Sequence, residues 1–383
     1  MAETPSGTPG VSPAMRRALV PVCAALAVSG FEEGGVVAGG SSDRTVTPAR
    51  DRWERTVAPA NGLSGLDAVR AADKIVVVGG ADYDQTEVKA LVLDLDSGRW
   101  SRAARSRLRW RAGHSVVAAN GQVIVWGGGL GPGAAAYDVT RDSWRRIPRG
   151  PLGQRYGHSA VWTGDEMIVW GGQVGRRPRA DGAAYDPRTG RWRRMTAAPL
   201  SPRSDHPALW TGRQMIVWGG SRPLRGDRAR VHSDGAAYDP KTNAWRRLSP
   251  SPLRSAPSRI LGTGLEVDLD VAWTGTRMLV WNGSAGAAFN PRRNEWKPLA
   301  PPPPQPWLPE DTAVWTGNQL IVFGGPRAAA YDPGNKRWTT LPRAPVLGRD
   351  RHAAVWTGHS MLVFGGCCRG SRHHSDGALY SPR

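Results

Sequence analysis

The stretch RYGHSAVWTGDEMIVWGG, from Arg155 to Gly172, contains two apolar runs separated by the pair Thr163-Gly164. Its β-branched and aromatic residues favour strands, and a Thr-Gly pair between two such runs indicates a hairpin. Similar segments recur further along the chain, as RSDHPALWTGRQMIVWGG from Arg203 and as RDRHAAVWTGHSMLVFGG from Arg349. The chain is therefore built from repeats, and the repeat decides the fold.

Each repeat contains four predicted strands. After the hairpin comes a short segment such as residues 182–187, then a polar turn, then a Trp-bearing segment such as residues 191–195. The second strand ends at a glycine doublet or its equivalent, which begins at Gly79, Gly127, Gly171, Gly219, Asn282, Gly324 and Gly365. The fourth strand carries a tryptophan, which is Trp53, Trp100, Trp144, Trp192, Trp245, Trp296 and Trp338 in turn. The repeat therefore recurs in register along the chain.

The last repeat shows three strands of its own, of which residues 376–380 are the third. Residues 51–56, which include Trp53, supply a fourth strand. A ring in which the first strand completes the last sheet leaves no open seam. We predict an all-β fold over residues 51–383: a seven-bladed β-propeller of four-stranded antiparallel blades, closed by an N-terminal strand.

The glycine doublet, the Tyr-Asp-Pro segment and the tryptophan at these intervals resemble kelch repeats over about residues 50–383. The resemblance implies a kelch-type propeller like the central domain of galactose oxidase. That enzyme needs two tyrosines and two histidines on copper and a tyrosine crosslinked to a cysteine. Here Tyr83 and Tyr156 are the tyrosines outside the repeated positions, and Cys367 and Cys368 lie together in the last repeat. Copper oxidase activity is therefore not expected.

Residues 1–50 lack the repeat. Residues 15–17, Met-Arg-Arg, precede an apolar run at 18–28 that is too short to span a bilayer, and small residues follow it. This pattern predicts a signal peptide within a leader of residues 1–30, followed by a flexible linker at 31–50. The alternative is a disordered apolar tail. With a signal peptide the protein is secreted or associated with the cell envelope, without a transmembrane span.

The chain carries 51 Lys+Arg against 32 Asp+Glu, a formal net charge of +19. Many arginines lie beside the fourth-strand tryptophans, as in Trp144-Arg-Arg and Trp192-Arg-Arg, where charge keeps outer sheet edges from pairing. The aromatic residues occupy repeat positions and do not alternate with arginines on one face, which disfavours nucleic acid as a partner. A monomer is expected.

Four repeats begin with the pattern R-x-x-H, in loops predicted to lie at the mouth of the central channel. The pairs are Arg111 and His114, Arg155 and His158, Arg203 and His206, and Arg349 and His352. Because the pattern recurs, hydrogen bonding between blades is the favoured interpretation. The alternative is ligand binding, with Arg203, His206, Arg349 and His352 as candidates. The first repeat has Leu63 and Leu66 in these positions.

The fifth and sixth repeats have acidic residues where the others have R-x-x-H. These are Glu266, Asp268, Asp270, Glu310 and Asp311. Crowded carboxylates raise one another's pKa or collect a hard cation, so this sector is the predicted ligand-binding site. Calcium is the candidate cofactor, with Asp268, Asp270 and Asp311 as its ligands, and no other cofactor is predicted. The alternative is a solvated acidic loop that offsets nearby arginines.

Long basic loops follow the glycine doublets in the third, fourth and seventh repeats. They run from Gln173 to Asp181, from Ser221 to Asp234, and from Cys367 to Asp376. Their further candidates for ligand binding are Arg230, His232, Arg372 and His374. The recurring Asp181, Asp234 and Asp376 are interpreted as turn residues. We expect an acidic surface with short loops over the fifth and sixth blades. The long basic loops stand on either side of it, and we call the whole surface the walled face.

Two functions fit these features. The first is a secreted, non-catalytic recognition module that binds a glycan, a cell-wall polymer or a protein through the walled face. The second is a small-molecule enzyme similar to N-acetylneuraminate epimerase, a bacterial kelch propeller that interconverts sugar anomers. There, Glu266 or Glu310 would carry the proton and Arg203 or Arg349 would hold a carboxylate. The recognition module is favoured, because one fold hosts many activities and the chain shows no evident catalytic set.

Overall fold

The computed structural model describes most of the chain from residue 51 onward. The described residues are 51–59, 65–79, 88–109, 111, 113–128, 133–224, 229–253, 270–282, 285–303, 312–324, 327–349, 351–367 and 373–382. The predicted leader and linker, residues 1–50, lie outside them, so the signal peptide and the secreted location stay predictions. In the described part of the chain, no helix has the length and apolar character needed to cross a membrane.

Seven antiparallel blades of four strands each are present, and the strands are numbered here in chain order. The innermost strands are β2 (Leu66–Ala71), β6 (His114–Ala119), β10 (Tyr156–Trp162), β15 (Ala208–Trp210), β21 (Asp270–Trp273), β25 (Thr312–Trp315) and β29 (Ala353–Trp356). The second strands are β3 (Lys74–Gly79), β7 (Gln122–Gly127), β11 (Met167–Val174), β16 (Met215–Trp218), β22 (Met278–Trp281), β26 (Leu320–Gly324) and β30 (Met361–Phe364).

The outer half of each blade consists of a third strand and an edge strand. The third strands are β4 (Lys89–Asp94), β8 (Ala134–Asp138), β13 (Gly182–Asp186), β19 (Gly235–Asp239), β23 (Gly286–Asn290), β27 (Arg327–Asp332) and β31 (Asp376–Ser381). The edge strands are β5 (Trp100–Arg102), β9 (Ser143–Ile147), β14 (Arg191–Arg194), β20 (Ala244–Arg247), β24 (Glu295–Pro298), β28 (Arg337–Thr340) and, for the seventh blade, β1 (Arg52–Val57).

The innermost strands contact one another around a closed ring, in which β2 touches both β6 and β29. The seventh blade has the strand order β1-β31-β30-β29, and Trp53 lies opposite Tyr380 in the β1–β31 ladder. A strand from the start of the described chain therefore completes the last blade. The predicted seven-bladed propeller and its N-terminal closure are confirmed.

The repeated aromatic residues form the core between blades. The Trp192 ring lies 5.0 Å from that of Tyr185 in its own blade and 6.0 Å from that of Trp126 in the preceding blade. Its Nε1 donates a 3.0 Å hydrogen bond to the carbonyl oxygen of Pro148, in the segment between the two blades. Large aromatic rings with one polar atom suit this position, because the ring is buried and the N–H still finds a partner. The tryptophans are therefore packing residues.

Candidate functional site

The arginines of the R-x-x-H pattern are buried and hold their own blades together. Arg203 has no exposed surface; its Nη1 donates to the carbonyl oxygens of Gly219 at 2.9 Å and Asp234 at 3.2 Å. Its Nη2 lies 2.8 Å from Asp234 Oδ1. The equivalent ion pairs are Arg155 with Asp181 and Arg349 with Asp376. The aspartates interpreted from the sequence as turn residues therefore also neutralise buried guanidinium groups.

Each histidine of the pattern reaches across to the preceding blade. His158 Nε2 lies 3.0 Å from Ser115 Oγ, His206 Nε2 lies 3.0 Å from Ser159 Oγ, and His352 Nε2 lies 2.8 Å from Thr312 Oγ1. Burial lowers the pKa of His206 and of His352 to about 3, so both rings are neutral and can accept a hydroxyl proton. The predicted hydrogen bonding between blades is confirmed for these three histidines, whereas the arginines bond within their own blades. A ligand role for these arginines and histidines stays a prediction, and their burial leaves them little surface for it.

The residue before each histidine has a left-handed backbone. The four residues are Gly113, Gly157, Asp205 and Arg351, and φ is 56° at both Asp205 and Arg351. Glycine adopts this conformation freely, whereas in other residues it costs roughly 1–3 kcal/mol of free energy. Residues in such conformations are often found at functional sites. Gly157 is required for a second reason, since a Cβ there would collide with Asp205 Oδ1. Asp205 is thus held against the loop of the neighbouring blade.

Asp205 belongs to a polar network between the third and fourth blades. The Ser204 hydroxyl lies 2.7 Å from Asp205 Oδ2 and 3.2 Å from Gln173 Oε1. Burial raises the pKa of Asp205 to about 6, against the opposing effect of the Ser204 hydrogen bond. Nearby, the Tyr156 hydroxyl donates a 2.7 Å hydrogen bond to the carbonyl oxygen of Gly175. None of these four side chains follows the repeat, which marks this sector as distinct from the other blade interfaces.

The long loops of the third and fourth blades rise as two short β-ribbons above this network. In the third blade the end of β11 turns back as β12 (Arg177–Pro178), and in the fourth β17 (Ser221–Pro223) pairs with β18 (Ala229–Val231). The ribbons touch through β12 and β17, and Arg176 Nη2 donates to the carbonyl oxygen of Leu224 at 3.3 Å. We call residues 173–180, 221–224 and 229–231 the basic ridge.

Exposed arginines and two exposed apolar side chains cover the basic ridge. The arginines are Arg176, Arg177, Arg179, Arg222 and Arg230. Val174 is 38% exposed and Leu224 is 46% exposed, and no acidic residue occurs in the defined ridge. Backbone hydrogen bonds tie the ridge to the Arg203 loop, from Arg203 N to Arg179 O at 3.0 Å and from Ser204 N to Ser221 O at 2.9 Å. The ridge is therefore a fixed, positively charged surface, as the sequence predicts for these long basic loops.

Arg111, in the second blade, departs from the other R-x-x-H arginines. Its Nη1 donates to the carbonyl oxygens of Gly127 at 2.8 Å and Gly133 at 2.7 Å, and its Nε donates to that of Arg109 at 3.2 Å. Gly133 stands where the other three blades have an aspartate, so the blade supplies no carboxylate at this point. Arg111 Nη2 is buried and has no hydrogen-bond partner among the described residues.

The interface between the first and second blades carries the other exception. Asp67 occupies the position of Ser115 and Ser159, and its Oδ2 lies 3.6 Å from His114 Nε2. Burial raises the pKa of Asp67 from 3.8 to about 8, and burial together with the Arg111 charge lowers that of His114 from 6.5 to about 3. At neutral pH a protonated Asp67 can present a hydroxyl to the imidazole, as serine does in the neighbouring blades.

The Asp67 carboxyl should make stability fall with rising pH. Its pKa is higher in the folded state, so the folded chain holds an extra proton between pH 3.8 and about 8, and stability is lost progressively across that range. The buried histidines act in the opposite direction, and in the unfolded chain they still titrate up to about one pH unit above 6.5. The step from pH 7.5 to 8.5 therefore isolates Asp67, and across it we expect a loss of about 0.5 kcal/mol, measured by urea unfolding.

The matched variant for this effect is Asp67→Ser, which installs the hydroxyl found in the second and third blades. Its free energy of unfolding should change by less than about 0.3 kcal/mol across the same pH step, since the titrating group is gone. An equal pH dependence in the parent and in the variant would show that Asp67 is not the group responsible.

Several predicted site residues lie outside the described residues. They are Glu266, Asp268, Glu310, Asp311, Arg372 and Cys368, together with Tyr83. The acidic sector, its calcium site and the two proton carriers of the enzyme alternative therefore stay predictions. Asp270 is described and begins β21 opposite Trp281. Within the described stretches, no group of three or more His, Cys, Asp or Glu side chains could hold a metal ion.

The remaining predicted residues lie in the long loops. Arg230 is exposed on the basic ridge, whereas His232 is buried with its Nδ1 3.9 Å from Asp234 Oδ1. His374 repeats this arrangement with Asp376, also at 3.9 Å. Burial is the main cause that lowers the pKa of both histidines, to about 4 for His232. Both histidines therefore belong to the braced base of their loops, while Arg230 faces solvent.

The blades, their buried R-x-x-H braces and their tryptophan cores define a kelch-type propeller. A family profile described as the KLHDC2/KLHL20/DRC7 Kelch-repeats domain matches residues 63–267, more than half of the 383 residues. The chain belongs to the kelch-repeat family. A comparison with curated protein sequences finds no significant match.

Among solved structures, the chain is similar in fold to a fungal alcohol oxidase of the AA5 family in complex with copper. The TM-score is 0.65 at 14% sequence identity, and the match covers 87% of this chain and 77% of the oxidase. At this identity the likeness concerns the propeller fold alone. Absence of copper oxidase activity in this chain stays a prediction.

The sequence indicated the loops but not the residues that make them distinctive. Asp205 and Ser204 occupy the two variable positions of R-x-x-H, and only the structure shows that the Ser204 hydroxyl lies between Asp205 and Gln173. Asp67 and Gly133 were missed for a different reason, since each is visible only when every repeat position is compared with its equivalents. A column-by-column comparison of the repeats would have found both.

Proposed function

We propose that this protein is a recognition module whose basic ridge binds an acidic segment of a partner protein. The observation that carries the proposal is the pair of contacting ribbons, which carry exposed arginines together with the exposed apolar side chains of Val174 and Leu224. Protein interfaces combine an apolar centre with a polar rim and are enriched in Arg and Tyr, and kelch propellers are suited to such a role. The alternatives of a glycan or a cell-wall polymer are outcomes of the test below.

The ridge suits recognition because it is held in place before a partner arrives. The backbone hydrogen bonds to the Arg203 loop and the Tyr156–Gly175 hydrogen bond fix both ribbons. A fixed surface loses less conformational entropy on binding than a mobile loop does. Its positive charge speeds encounter with an acidic partner, and this effect weakens with salt because the Debye length is about 10 Å at 0.1 M ionic strength.

Selection from a random peptide display library tests the proposal. We expect the peptides that bind the parent protein to be rich in Asp and Glu around one or two apolar residues. The same selection on the double variant Arg177→Glu and Arg222→Glu should not recover them, because both side chains lie on the ridge and take part in no ion pair among the described residues.

A matched control carries Arg146→Glu and Arg194→Glu, two exposed residues of the edge strands β9 and β14. It has the same net charge as the ridge variant and should select the same peptides as the parent. Selection of peptides without acidic bias, or equal recovery on the ridge variant, would contradict the proposal. So would a glycan-array hit that depends on the ridge while no peptide is selected.

A further inference from the structure

In three blades, the Nη2 atom of the buried arginine binds a carboxylate. Arg155 Nη2 donates to Asp181 Oδ2 at 3.1 Å, Arg203 Nη2 lies 2.8 Å from Asp234 Oδ1, and Arg349 Nη2 donates to Asp376 Oδ1 at 3.0 Å. Nε and Nη1 donate to backbone carbonyl oxygens, and in the third blade Nη1 also donates to Asp181 Oδ1 at 2.8 Å. These positions therefore form one repeated carboxylate-binding geometry.

The second blade keeps this geometry without the carboxylate. Arg111 makes the same bonds through Nε and Nη1, while Nη2, which binds the aspartate elsewhere, is buried and has no partner among the described residues. The aspartate position is Gly133, and a Cβ built there would meet only Leu108 Cδ2, at 4.0 Å. There is therefore room for a side chain to begin at position 133, while Nη2 itself is covered by the chain, so a group that binds it displaces that cover.

The charge at this position needs a counter-ion. Arginine is protonated throughout the physiological range, and Arg111 stays so because burial lowers its pKa only to about 10. A buried cation without an opposite charge is costly, and a charge-assisted bidentate or single hydrogen bond to an anion offsets that cost. In the third and fourth blades the equivalent carboxylates are 48% and 44% exposed, so a carboxylate in this position lies at the surface although the guanidinium beneath it is buried.

We propose that Arg111 is a binding site for a carboxylate group supplied by a ligand. The carboxylate takes the place that Asp181, Asp234 and Asp376 fill in their own blades and accepts a hydrogen bond from Arg111 Nη2. A planar carboxylate is favoured over a tetrahedral phosphate, because the geometry is one that the protein itself satisfies with aspartate. The site lies in the second blade and includes no residue of the basic ridge, and it does not depend on the function proposed for the ridge.

Thermal unfolding with acetate as the probe tests this assignment. At pH 7.5, 100 mM sodium acetate should raise the Tm of the parent by about 1–2 °C over sodium chloride of equal ionic strength, as expected for a site with a Kd of roughly 10–50 mM. Sodium phosphate at matched ionic strength should raise it less. The Arg111→Met variant should lose the acetate-specific shift, and Arg111→Lys, which lacks the planar fork, should lose most of it.

The third blade provides the matched control. Asp181→Gly makes Arg155 resemble Arg111, so this variant should be less stable than the parent and should show about twice the acetate-specific shift. An acetate shift in Asp181→Gly but none in the parent would overturn the assignment, since the assay would then detect such a site where one exists. A shift that persists in both Arg111 variants, or a response to phosphate alone, would overturn it as well.

Discussion

Deleting residues 1–57 should destabilise the propeller by at least about 3 kcal/mol relative to deleting residues 1–50, because the longer deletion removes the edge strand of the seventh blade. The Trp53 ring lies 5.1 Å from that of Tyr380 and 5.6 Å from that of Phe323, and its Nε1 donates to the carbonyl oxygen of Pro342 at 2.9 Å. The ladder from Arg52 to Val57 pairs along the whole of β31. The deletion therefore exposes both a sheet edge and part of the core.

The measurement is urea unfolding of both truncated proteins, with Trp53→Ala in the shorter deletion as a third sample. The point variant should lose about 2–3 kcal/mol, because the ring is only partly buried and the ladder remains. The shorter deletion should match the full chain. Equal stability of the two deletions would mean that β1 does not close the ring in solution.

Replacing Arg203 by methionine should cost about 3–5 kcal/mol, because each buried carbonyl oxygen left without its donor costs about 1–3 kcal/mol. The substitution keeps the length and apolar stem of the side chain but leaves the Asp234 carboxylate and the carbonyl oxygens of Gly219 and Ser201 without their donor. Because Arg203 has no exposed surface, these carbonyl oxygens stay buried without a donor, whereas water still reaches the Asp234 carboxylate, which is 44% exposed. Urea or thermal unfolding measures the loss.

The matched control is Arg247→Met, because Arg247 approaches the same aspartate from solvent. Its Nη1 lies 3.8 Å from Asp234 Oδ2, and its side chain is 64% exposed. Exposed pairs contribute about 0–1 kcal/mol, so this variant should unfold almost as the parent does. Similar losses in the two variants would indicate that the Arg203 pair is solvated and is not a brace.

The fold could be predicted from the sequence because each blade repeats the same local chemistry. The tryptophan of β14 and the tyrosine of β13 pack together in the structure, as Trp192 and Tyr185 do, and their equivalents recur at constant spacing. The closure of the ring could be predicted from the same spacing, because the seventh repeat has no fourth-strand tryptophan of its own and Trp53 takes that place. Repetition turns weak local signals into a strong one.

The candidate site was harder to predict because it depends on contacts between distant residues. Sequence spacing cannot show that Arg155 and Asp181, which are far apart in the chain, form an ion pair, and the aspartate was therefore interpreted as a turn residue. It also cannot show that Arg111 lacks this partner or that Asp67 faces His114 from another blade. The basic walls were predicted because charge and loop length are visible in the sequence, whereas their pairing into ribbons is not.

Binding affinity is the most direct test of the central claim that the basic ridge recognises an acidic protein segment. The measurement is the Kd of a library-selected acidic peptide by fluorescence anisotropy, for the parent, the ridge variant Arg177→Glu and Arg222→Glu, and the edge-strand variant Arg146→Glu and Arg194→Glu. We expect the ridge variant to bind at least about tenfold more weakly with an unchanged Tm, and the edge-strand variant to bind as the parent does. Equal Kd values for the parent and the ridge variant, or equal weakening in both variants, would contradict the claim.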